Sequence, residues 1–196
     1  YPLVKIKNNI LKNKKSDIIN INSAGDICYR KGFDLWIDTA IIVCKQNKNI
    51  IFNWFGNKGL DGYYDSQIQK IPDNLKKQII YHGVSESLID NLSKGHLFFL
   101  SSREDPFPIV CIESLASGVP IIGFESGGID EHKKNEVAVV VKNFDINLMA
   151  INILKFASNK LKISSNKCKK IYLNNFEEKK VYNKMLLSIN SKILKF

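Results

Sequence analysis

Residues 96–124 read HLFFLSSREDPFPIVCIESLASGVPIIGF, and the alternation within this stretch decides the fold. His96–Leu100 is a continuous apolar run, the pattern of a strand buried on both faces. A polar turn follows at Ser101–Asp105. Pro106 and Pro108 suit a helix start, because a first-turn N–H has no intrahelical partner to lose. Pro108–Ser117 then reads as a helix closed by Gly118, and Pro120–Phe124 is a strand again.

The same alternation extends in both directions. Asp17–Ser23 is short and β-branched. Gly32–Gln46 carries Phe33, Trp36, Ile37, Ala40, Ile41 and Cys44 at helical spacing. Asn49–Phe55 reads as a second strand and Gln78–His82 as a third, with a polar stretch and a turn at Ile71–Asp73 between them. Ser85 is placed to cap a helix running to Lys94, and Gly95 to end it. Val137–Val141 is the last strand, and the chain reads helical from Asp145 onward. Strands alternating with helices predict an α/β fold: a Rossmann-like parallel sheet of about six strands with helices on both faces. Ligands of such sheets bind outside the carboxyl ends of the strands. That rule selects the loops at 24–31, 56–62, 83–86, 101–108 and 125–130. No linker divides the chain, so 1–196 is expected to be one domain with its core at about 17–158 and a helical tail at 159–196.

Composition bounds the function. Apolar residues make up 44% of 196, enough for a packed core. No apolar run is long enough for a membrane-spanning helix. The four cysteines form no C-x-x-C pair and fit no zinc pattern. They are expected to be reduced thiols of a cytoplasmic protein. Aromatics such as Trp36, Phe52, Trp54, Phe98 and Phe99 are expected in the core. The net charge is +10, but it sits at the ends: residues 1–15 hold five Lys and no acid, while the body between 16 and 154 is mildly acidic. Basic ends suit an anionic membrane surface or nucleic acid, and lysine-rich, solvated helix faces are the simpler explanation. No nucleic-acid motif, P-loop or G-x-G-x-x-G fingerprint is present.

The chemistry concentrates between Asp105 and Val110. A helix starting at Pro108 points its first N–H groups, those of Ile109 and Val110, at whatever lies above the strand ends, which is a ready anion site. Asp105 precedes this helix and Glu113 lies eight residues later within it. A carboxylate there is able to accept both hydrogen bonds of a ribose diol. The plainer alternative is that Asp105 caps the helix and Glu113 faces solvent.

The stretch SSREDPFPIVCIESLASGVPII resembles the signature of the retaining family 4 (group 1) glycosyltransferases, which have the GT-B fold. Their pattern is a strand ending in Ser, an acid in E-P-F-G, a second Glu eight positions on, and a strand after Gly-x-Pro. Asp105 stands where the family has its first Glu, and Pro108 replaces the usual Gly. INSAGDICYRKGFDL, residues 21–35 with the preceding Ile19 and Asn20, resembles the opening strand, loop and helix of the family's nucleotide domain. FESGGIDE at 124–131 resembles its Gly-Gly-x-x-Glu loop. Asp26 follows Gly25 where many members carry Arg.

The resemblance implies a donor site for a nucleotide-diphosphate sugar, UDP- or GDP-linked, as substrate, with no further cofactor and no metal. It implies that Lys31, helped by Arg30, neutralises the leaving diphosphate near Gly25. It places Asp105 near the donor sugar, the backbone of Phe107, Pro108, Ile109 and Val110 at the diphosphate or sugar, and Glu113 on the ribose. The base is implied to rest on the loop at Gly83 and Val84, largely through backbone. Lys31 and Asp105 are the candidate catalytic residues, and retention needs no protein nucleophile. A glycan or lipid-linked acceptor is implied on an amino-terminal domain that this chain lacks, in a cell-surface polysaccharide pathway. A nucleotide-sugar epimerase-like domain and a non-enzymatic basic binding module are the rival readings.

Overall fold

In a computed structural model, described for residues 17–60, 62–178, 180–183 and 186–187, the six expected strands form one parallel sheet. They are β1 (Ile19–Ala24), β2 (Ile50–Phe55), β3 (Ile79–Tyr81), β4 (Leu97–Leu100), β5 (Ile121–Phe124) and β6 (Ala138–Val141), in the order β3-β2-β1-β4-β5-β6. The order reverses direction between β1 and β4, which makes that pair the topological switch point of the sheet.

The helices divide between two faces. α1 (Phe33–Gln46) and α6 (Ile146–Ala157) pack together on one side. α3 (Leu88–Lys94), α4 (Ile109–Ala116) and α7 (Ser165–Asn175) lie on the other. Strand side chains feed both layers in turn. In β4, Leu97 and Phe99 enter the core under α1, and Phe98 and Leu100 enter the core under α4. All four are at most 3% exposed, which explains why this strand shows no polar alternation. The five aromatics expected in the core are there, each at most 1% exposed. Burying one such ring contributes roughly 1.5–3 kcal/mol.

Gly32 shows why a glycine follows Lys31. It takes the left-handed conformation between a 3-10 turn at Tyr29–Lys31 and α1. A Cβ there would lie 2.0 Å from the Ser101 carbonyl oxygen. The loop after β1 therefore runs directly against the loop after β4.

Four local expectations are corrected. The cap of α3 falls at Ser87, not Ser85, and its hydroxyl donates to Asp90 rather than accepting from the helix backbone. Residues 61–74 contain a short helix, α2 (Tyr63–Ile68), because Tyr63 and Tyr64 pack onto the aromatic core under α1. A helix not anticipated, α5 (Ile129–Lys134), follows the Gly-Gly loop and is anchored by the buried Ile129. The carboxyl-terminal segment is not one continuous helix. α6 ends at Ala157, Asn159 takes a positive φ, and Ser164 recaps the chain by accepting from the Lys167 N–H. α7 then docks on the end of α4, where Ser165 donates to the Gly118 carbonyl at 2.6 Å. The expectation for residues 188–196 lies outside the described residues.

Candidate functional site

The β1–β4 pairing is short. Only Ile21 with Leu97 and Asn22 with Phe98 are in register, after which the Ser23 hydroxyl bridges to the Phe99 carbonyl at 2.7 Å. Beyond that point ladder pairing gives way to direct contact between the two loops, where Gly32 lies against the Ser101 carbonyl.

Lys31 and Asp105 meet there. Lys31 Nζ lies 2.6 Å from Asp105 Oδ2, with side chains 19% and 10% exposed. The Lys31 stem lies over Gly25, and its carbonyl accepts from the Ser101 hydroxyl at 2.9 Å. Asp105 does not cap α4. Pro108 occupies the cap position and makes no side-chain cap hydrogen bond, and the first N–H groups of an α-helix have no intrahelical partner.

The Gly-Gly loop supports this turn from below. The Asp105 N–H donates to the Ser126 carbonyl at 2.8 Å, and the Gly128 N–H donates to the Asp105 carbonyl at 3.0 Å. A Cβ at Gly128 would come within 2.4 Å of the Pro106 carbonyl oxygen. Loops drawn from three distant parts of the sequence thus share one rim.

The other predicted residues are less tightly joined. Arg30 is exposed and donates from Nη1 to the Glu104 carbonyl at 3.0 Å. Phe107 and Ile109 are exposed, Val110 is half-buried and Pro108 is buried. Glu113 lies one turn into α4 and is half-buried. Lys31 meets Asp105 rather than Glu113. Burial pushes the Glu113 carboxyl above its ordinary range, and no cation is paired with it among the described residues. A carboxylate held this way without a partner is chemically poised to accept hydrogen bonds.

Gly83 takes a positive φ, and its carbonyl accepts from the Gly56 N–H at 2.9 Å. Val84 beside it is 76% exposed. It borders a groove of about 590 Å³ that also takes in Asn22, Asn53, Phe55, His82 and Ser85. His82 Nε2 lies 2.8 Å from Asn53 Oδ1, and its ring stacks on Phe55 at 4.7 Å. Burial lowers its pKa. Side chains therefore line this place beside the backbone of Gly83 and Val84. His132, near the Gly-Gly loop in sequence, is buried with its ring against Phe176.

Sequence reasoning missed one cluster. Arg103 forks onto Asp34, Nη1 to Oδ1 at 2.8 Å and Nη2 to Oδ2 at 2.7 Å. Tyr63 donates to the same carboxylate at 2.8 Å. Burial by itself pushes the Asp34 carboxyl up, but the hydrogen bonds and charge of Arg103, with the Tyr63 hydroxyl, outweigh it and hold the carboxyl below its ordinary range. Nothing local in the sequence pairs positions 69 residues apart. Among the described residues no group of three His, Cys, Asp or Glu side chains is placed to hold a metal, and no helix is long and apolar enough to cross a membrane.

Fold and rim together define the Rossmann-like half of a GT-B glycosyltransferase fold. The family model for glycosyl transferases group 1 matches residues 5–179, and the chain belongs to that family. Mannosylfructose-phosphate synthase of Agrobacterium fabrum is 26% identical over 113 residues, which is 54% of this chain and 25% of that protein. The lipopolysaccharide outer core galactosyltransferase WaaB, in its apo form, superposes with a TM-score of 0.79 at 14% identity, over 98% of this chain and 55% of that one. Anabaena HepE in complex with UDP-glucose superposes with a TM-score of 0.75 at 15% identity, over 89% of this chain and 49% of that one. The chain thus spans about a quarter of that curated relative and about half of these structural neighbours.

Proposed function

We propose that this chain is the donor half of a retaining glycosyltransferase and binds a nucleotide-diphosphate sugar at the rim above β1 and β4. The observation that carries the reading is the Lys31–Asp105 pair, set above the switch point and beside the uncapped start of α4. The diphosphate lies between the Lys31 ammonium and the first N–H groups of α4. The ribose hydroxyls donate to Glu113. The base rests on the loop at Gly83 and Val84, against the groove that His82 borders.

Transfer breaks the bond between the sugar C1 and the diphosphate oxygen, leaving negative charge on the diphosphate. A fixed cation and aligned N–H dipoles stabilise that charge, and each such group accounts for a factor of about 10² to 10³ in rate. Asp105 orients the Lys31 ammonium before the donor arrives and shares it afterwards. The acceptor hydroxyl, on a glycan or lipid-linked molecule, is presented by a second domain. The relative and neighbours, of which this chain spans between 25% and 55%, leave room for one.

HepE was solved with UDP-glucose, so uridine nucleotides are the first donors to try. The test is a thermal-shift and titration panel of UDP, GDP, ADP and their sugars, repeated with Glu113→Ala. One nucleoside diphosphate is expected to stabilise the chain, with most of the effect lost in the variant. Equal binding by Glu113→Ala removes the ribose assignment, and no response to any nucleotide removes the donor reading.

A further inference from the structure

We propose that Arg103 is a positioning residue of this donor site, clamping the loop after β4 onto the loop after β1 so that Asp105 and Lys31 stand in register. The inference rests on the donor reading above and concerns a residue outside the set that contacts the donor.

The need for a clamp follows from the sheet. Ladder pairing between β1 and β4 stops at Asn22 and Phe98, so the loops that carry Lys31 and Asp105 are aligned by contacts of their own, among them the Ser101 hydroxyl on the Lys31 carbonyl. Arg103 joins the two loops at four points, one through its backbone and three through its guanidinium. Its N–H donates to the Arg30 carbonyl at 2.8 Å. Its Nη1 donates to the Tyr29 carbonyl at 2.7 Å. Its guanidinium lies 3.8 Å from the centre of the Tyr29 ring. Both terminal nitrogens pair with Asp34 at the start of α1, and Tyr63 of α2 braces that carboxylate.

The guanidinium charge is taken up by Asp34, with side chains 18% and 19% exposed. Arg103 is therefore not a free cation for a diphosphate and acts through its neighbours. A planar fork is required, because a single ammonium cannot satisfy both carboxylate oxygens and the Tyr29 carbonyl in fixed directions.

The experiment is a double-variant cycle read as the dissociation constants of UDP and GDP, with melting temperature recorded alongside. Arg103→Lys is expected to weaken nucleotide binding about tenfold, within the range found for coupled neighbours. In a Lys31→Met background the same change is expected to cost less than about twofold, because the group it positions is gone. Asp34→Asn serves as a second disruption of the clamp and carries the same expectation if Arg103→Lys does not fold. A merely structural Arg103 would lower the melting temperature and leave affinity unchanged, or weaken binding equally in both backgrounds, and either result overturns the proposal. An unaltered chain that binds neither nucleotide takes away the donor reading itself, whereas one that binds but shows no coupling takes away Arg103 alone.

Discussion

Removing the Lys31 ammonium separates its service to the fold from its service to the ligand. In Lys31→Met the apolar stem over Gly25 is largely kept, while Asp105 keeps a carboxylate that is 10% exposed and has lost its cation. Exposed ion pairs contribute about 0–1 kcal/mol, and breaking a fully buried one costs about 3–5 kcal/mol. With side chains 19% and 10% exposed, this pair falls between, at roughly 1–3 kcal/mol. For a chain of this length that lowers the melting temperature by about 2–12 °C. The nucleotide should lose a charge-assisted contact of about 1.5–3 kcal/mol, or roughly 10- to 150-fold in affinity. The double variant Lys31→Met/Asp105→Asn removes the orphaned charge as well. Its melting temperature should recover most of the loss, while its affinity for the nucleoside diphosphate stays low. Calorimetric titration and a thermal melt on the three proteins decide the matter. Affinity that returns with stability in the double variant would refute a ligand-binding role for Lys31.

Three further outcomes are expected. Burial holds the Glu113 pKa above its unfolded value, so its contribution to stability is present in acid and lost as pH rises through the folded pKa. Glu113→Gln should therefore melt higher than the parent at neutral pH and equal to it below the ordinary carboxylate range, seen by melts across pH, even as nucleotide binding weakens. Asp34 has the opposite sign. Its folded pKa is lowered, so its contribution is present above the unfolded value and is lost as pH falls through the folded one. Asp34→Asn should flatten the acid side of the melting profile, and an unchanged slope would count against the Arg103 pairing. Of the four thiols, Cys44, Cys111 and Cys168 are buried and burial pushes their pKa values up, whereas Cys28 is only half-buried. Native alkylation followed by mass spectrometry should modify Cys28 first, and rapid labelling of the other three would contradict this packing.

The strands were legible because a parallel sheet buried on both faces demands unbroken apolar runs, as in Leu97–Leu100. Periodicity is local, so it also marked α1 and α4. It did not mark α2 or α5, whose formation depends on partners elsewhere: Tyr63 and Tyr64 on the core under α1, and Ile129 beneath β5. The break after Ala157 was missed for a related reason. Its turn is fixed by Asn159 in a left-handed conformation and by the docking of Ser165 on Gly118.

Chain order by itself determined the strand–helix alternation, and with it the rim on which Gly25, Lys31, Asp105 and Gly83 had to fall, because each follows a strand of a sheet whose strands all point one way. Only the tertiary structure decided which of these groups touch. Pairing Lys31 with Asp105, and Arg103 with Asp34, depends on β1 and β4 lying side by side, so that the loops that follow them meet. That juxtaposition brings together residues about 70 positions apart, through packing that no local pattern of side chains encodes.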